Sequence, residues 1–100
     1  MQSKHDILLF LNQNKKVLYD QFHIKRIGLF GSYAREEQNA ASDLDIIVEF
    51  VENTQNLYDL KLSLKDFFRQ NLGVEVDICR EKYIRPQIKQ SIQKETIYVE

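Results

Sequence analysis

The run Asp43-Leu44-Asp45-Ile46-Ile47-Val48-Glu49-Phe50 decides the fold. Leu44, Ile46, Val48 and Phe50 alternate with Asp43, Asp45, Ile47 and Glu49, the period of an extended strand with one strongly apolar face. On its N-terminal side, Ile24 to Phe30 forms a second compact apolar run that ends at Gly31-Ser32. The segment from Gly31 to Asp43 is too short for a long crossover, so the chain returns on itself with room for one helical turn at Tyr33 to Glu36. On its C-terminal side, Asn56 is placed to cap a helix whose buried stripe is Leu57, Leu60, Leu64, Phe67, Phe68 and Leu72, with Gly73 at its end. Val74 to Cys79 then alternates again, Val74, Val76 and Ile78 against Glu75, Asp77 and Cys79.

Helical spacing also runs from Ser3, a capping residue, through Ile7, Leu8, Leu11, Leu18 and Phe22, with a break near Asn12 to Asn14 that divides it into two helices. Ile84, Ile88 and Ile92 recur at intervals of four in a last helix, where Pro86 is tolerable only in the first turn. Ile97 to Val99 fits either a short strand or an extended docked end. The alternation of helices and strands predicts an α/β fold, a small mixed sheet of three to four strands packed with helices. One hundred residues close one core, so residues 1–100 are expected to form a single domain.

Composition narrows the classes. Apolar residues make up 43% and charged residues 29%, the balance of a globular chain. A formal net charge of −1 gives no bulk attraction to a polyanion, so direct nucleic-acid binding is not expected. The lone Cys79 has no partner for an internal disulfide and fits a reducing compartment, hence a cytoplasmic expectation. No apolar run approaches the length of a membrane span, and Lys4, His5 and Asp6 do not lead into a cleavable signal.

Three groups of residues carry chemistry. Gly31-Ser32 stands where a buried strand gives way to a turn, so free backbone N–H groups, a missing Cβ and a hydroxyl could receive an anion. Asp43 and Asp45 project from one strand face roughly 7 Å apart, and two such carboxylates repel unless a cation sits between them. Magnesium, which takes carboxylate, phosphate and water oxygens, is the natural cation. Asp77 lies on the polar face of the next strand as a third carboxylate, with Glu75 on the same face as its rival and Glu49 a weaker one. Carboxylates from two adjacent strands suit two metal ions. His5 and His23 lack the spaced partners of a zinc site. No basic cluster flanks Cys79 to make it a nucleophile. Arg80, Lys82, Arg85, Lys89 and Lys94, interleaved with Glu81 and Glu95, read as a solvated face.

Gly31-Ser32, ten intervening residues, Asp43-Leu44-Asp45 and the separate Asp77 together resemble the signature of the polymerase-beta nucleotidyltransferase superfamily, in its minimal nucleotidyltransferase branch. The resemblance covers about Ile24 to Cys79. It implies a nucleotidyltransferase-type sheet in which Gly31, Ser32 and Arg35 bind the triphosphate of ATP, and Asp43, Asp45 and Asp77 hold two Mg2+ ions. Asp77 would serve the metal that activates the acceptor and take the acceptor's proton. Relatives of this kind often carry Gly after the Ala-Arg pair, where this chain has Glu36.

The resemblance further implies an antitoxin that transfers AMP from ATP to a tyrosine hydroxyl of a cognate HEPN-type ribonuclease toxin. Two other functions stay open on the sequence. One is a non-catalytic antitoxin that neutralises its toxin by binding alone. The other is a transferase acting on a small molecule or an RNA end through a separate subunit.

Overall fold

The structure is a computed structural model that describes residues 2–99, so the outermost residues of the expected 1–100 domain lie outside the described residues. The elements follow in the order α1 (Lys4–Gln13), α2 (Lys15–Phe22), β1 (Ile24–Phe30), α3 (Gly31–Ala34), β2 (Leu44–Phe50), α4 (Leu57–Leu72), β3 (Val76–Arg80), a 3₁₀ turn (Glu81–Tyr83), α5 (Pro86–Glu95) and β4 (Ile97–Val99). The strands form one mixed sheet in the order β3-β2-β1-β4. β1 runs antiparallel to both β2 and β4, whereas β2 and β3 are parallel, as the connection through α4 requires. This is the expected small mixed α/β sheet.

One sheet face is the core. Leu44, Ile46 and Val48 of β2 are at most 1% exposed and pack with Ile7, Leu11, Leu18, Phe22, Leu64 and Phe68 from α1, α2 and α4. Phe10, Phe22, Phe67 and Phe68 meet ring to ring at centroid distances of 5.2–6.1 Å, tilted or edge-on as aromatic quadrupoles prefer. Burying one such side chain is worth about 1.5–3 kcal/mol, so this layer carries much of the fold's stability. The opposite face holds Asp45, Ile47, Asp77 and Cys79, and lies towards α5 and the 3₁₀ turn.

Several boundaries differ from the sequence reading for local reasons. Ser3 caps α1 in a capping box with Asp6, and the chain breaks at Asn14, as the spacing requires. The short helix begins at Gly31, not at Tyr33, and stops before Glu36, whose φ of 59° cannot continue a right-handed helix. Asn56 does stand at the N-cap of α4, but with left-handed backbone and no side-chain cap bond. β2 starts at Leu44 and β3 at Val76 because these two are the first residues paired in the parallel ladder. Asp43, Val74 and Glu75 therefore precede the strands. Pro86 takes the first position of α5 and drives Arg85 extended, which leaves Ile84 outside the helix. The terminal segment is a true strand, β4, paired to β1 at Ile27, Gly28 and Leu29. Among the described residues no helix is long and apolar enough to cross a membrane.

Candidate active site

Asp45 and Asp77 stand directly opposite one another in the parallel β2–β3 register, and Phe30 stands opposite Asp45 on β1. The row runs across three strands and ends at the corner where β1 turns into α3. At that corner Gly31 has a φ of +76°, and a Cβ placed on it would lie 2.8 Å from Asp45 Cγ. The backbone of the Gly-Ser corner and the Asp45 carboxylate are thus packed in contact. Asp43 sits at the entrance to β2 with its side chain exposed, and Asp77 is exposed on the edge strand.

Charge crowding marks the site. Burial pushes the Asp45 carboxyl above its ordinary value, and repulsion from Asp77 and then Asp43 adds to the shift, against the opposing field of Arg35. Burial also raises the Cys79 thiol, with Asp77 and Asp45 contributing, so Cys79 stays protonated and is no nucleophile at neutral pH. The charge on Asp45 is thus disfavoured by its two neighbours, and the three carboxylates are an oxygen donor set suited to a hard divalent cation, which Asp43, Asp45 and Asp77 could hold. Among the described residues no three His, Cys, Asp or Glu side chains close into a metal-ligating group.

The rival carboxylates lie elsewhere. Glu75 accepts two hydrogen bonds from Arg69, Nε to Oε1 at 2.9 Å and Nη2 to Oε2 at 3.0 Å, which hold its carboxyl below the ordinary range. This fork-to-fork pair turns Glu75 towards α4. Glu49 is four residues along β2 from Asp45, about 13 Å away at strand rise.

Glu95, the last residue of α5, belongs to the corner although sequence reasoning placed it on a solvated face. Its Oε1 accepts the Gly31 N–H at 3.2 Å, and its carboxylate pairs with Arg35 Nη1 at 3.2 Å. Arg35 Nε also reaches Glu37 at 3.3 Å. The guanidinium is therefore fixed beside Gly31 and close enough to act on Asp45. Nothing in the sequence announces Glu95, because its partners lie 64 and 60 residues away. Ser32 stands half-buried between Gly31 and the buried Tyr33.

Residues 6–99 match the family model described as a nucleotidyltransferase domain. A Methanocaldococcus jannaschii protein provisionally named a protein adenylyltransferase is 42% identical across 99% of this chain and all of its own length. The protein adenylyltransferase MntA of Thermococcus cleftensis is 32% identical across 99% of this chain and 98% of its own. A solved structure provisionally described as a minimal nucleotidyltransferase superposes with a TM-score of 0.77 at 29% identity, covering 96% of this chain and 95% of that one. A crystal structure of a toxin–antitoxin with AMP-PNP gives 0.65 at 25% identity, over 88% of this chain and 72% of that one.

Proposed function

Because the chain belongs to the nucleotidyltransferase domain family and is a nucleotidyltransferase, we propose that it is an antitoxin that moves AMP from ATP to a tyrosine hydroxyl of a HEPN-type toxin. The carrying observation is the line from Asp77 on β3 through Asp45 on β2 to Gly31, at the corner that follows β1. The protein adenylyltransferase relatives support the group transferred, and the structural likeness to a toxin–antitoxin with AMP-PNP supports the partner and the nucleotide.

Each residue has a task in this reading. The Ser32 hydroxyl and backbone N–H donate to phosphate oxygens beside Gly31, whose own N–H is bonded to Glu95, and Arg35, held by Glu95, supplies positive potential along the same path. Asp43, Asp45 and Asp77 would hold Mg2+ ions, which when bound neutralise charge on the triphosphate and lower the acceptor's pKa. The tyrosine oxygen attacks the α-phosphorus, the bond from that phosphorus to the bridging oxygen of the β-phosphate breaks, and pyrophosphate leaves. Asp77 takes the phenolic proton. Phenol ionises near ~10 in water, so assistance at that proton is needed at neutral pH.

Asp43→Asn and Asp45→Asn test the assignment. Each should abolish transfer with magnesium and ATP while thermal unfolding in chelator shows an intact fold. Wild-type transfer by both variants would overturn it.

A further inference from the structure

Beside the carboxylate row, a pocket of about 680 Å³ opens between β3, the start of α4 and α5. It adjoins the carboxylate row at two points, Phe30, which stands opposite Asp45, and Cys79, two residues along β3 from Asp77. Its wall is apolar, yet Lys61, Arg80 and Arg85 all line it and no Asp or Glu does. That is unusual in a chain with 15 acidic and 14 basic residues.

None of the three cations forms an ion pair among the described residues. Arg80 is held in place by aromatic faces, 4.8 Å from the Tyr83 centroid and 5.7 Å from that of Phe50, while its Nε is shielded from solvent with no hydrogen-bond partner. A buried guanidinium N–H left open is a costly arrangement unless an acceptor arrives. Tyr58, Tyr83 and Ile88 stand 76%, 69% and 49% exposed around the rim, the aromatic and aliphatic anchors typical of a binding surface.

From these features we infer that the pocket seats the acceptor segment of the protein partner, and that this segment carries acidic residues beside its tyrosine. The inference rests on the transfer reading above. In-line displacement puts the attacking and leaving oxygens on opposite sides of the phosphorus. With pyrophosphate held at the Gly31-Ser32 corner that follows β1, the hydroxyl approaches from across the carboxylate row, where Cys79 and Arg80 of β3 line the pocket. Carboxylates flanking the tyrosine would meet Lys61, Arg80 and Arg85, and the ring would lie against the apolar wall.

The test uses fluorescent peptides with a single tyrosine flanked by glutamates or by lysines, added to the full chain. Binding is read by anisotropy without ATP, and AMP transfer is read with magnesium and ATP. The glutamate peptide should bind about tenfold more tightly than the lysine peptide, with an advantage that shrinks as salt rises. Lys61→Glu with Arg85→Glu should reverse the preference while leaving the affinity for AMP-PNP unchanged, and the reversal itself shows that the variant is folded. No charge preference, or loss of AMP-PNP affinity with peptide binding unaltered, would overturn the inference and in the second case assign the pocket to the nucleotide base. Charge-dependent peptide binding with no transfer to any tyrosine would uphold the pocket and sink the transfer reading instead.

Discussion

The Asp45 carboxylate occupies the space into which a Cβ on Gly31 would project, so the strand carrying the acidic pair and the corner before α3 are fitted to each other at a single atom. Gly31 also has a φ of +76°, which L side chains rarely adopt. Its lack of a side chain answers both demands at once.

Gly31→Ala should therefore damage both fold and chemistry. Left-handed strain costs about 1–2 kcal/mol, and Asp45 must shift away from the new methyl. A displacement near 1 Å in a reacting constellation can cost about a hundredfold in rate. Thermal unfolding and transfer kinetics check the two effects separately. An unchanged melting temperature with wild-type transfer would contradict the packing described.

Asp77→Asn should lower transfer by about 10²–10⁴-fold, the range for losing a positioned acid or base. Glu75→Gln should leave it near wild type, because Glu75 is engaged by Arg69 and turned away from the row. Side-by-side kinetics of the two variants decide the matter. Loss of activity in Glu75→Gln alone would transfer the third carboxylate's role to that residue.

Glu36 sits in left-handed backbone at a φ of 59°, with its side chain in solvent. A glycine at this position would therefore meet a backbone requirement. Glu36→Gly should raise stability by about 0.5–1 kcal/mol, the relief of that strain less the added freedom of the unfolded chain. Denaturant unfolding measures it, and a destabilised variant would contradict the explanation.

Much of this molecule is legible in its sequence because its signals are local. The alternation through residues 44–50, the break at Asn14 and the helix running from Asn56 to Gly73 rest on neighbouring residues, and each stands where its pattern puts it. The Gly-Ser corner and the acidic pair were legible for the same reason. What escaped depends on long-range pairing. The register that sets Asp77, not Glu75, opposite Asp45 is fixed by the parallel ladder and by Arg69. Glu95 joins the corner only because α5 and β4 bring it back beside β1. The end of α3 before Glu36 hinged on a positive φ that a glutamate does not announce.

The central claim, that AMP passes from ATP to a protein tyrosine across the Gly31–Asp45–Asp77 row, is tested most directly with ATP labelled separately at the α- and γ-phosphates. The chain is incubated with magnesium and its toxin partner, and the modified residue is mapped by mass spectrometry. Label from the α position should appear on a toxin tyrosine, and Asp43→Asn should abolish it together with neutralisation of the toxin. Label from the γ position, or neutralisation undiminished by Asp43→Asn, would contradict the account, and the latter would make this protein an antitoxin that acts by binding alone.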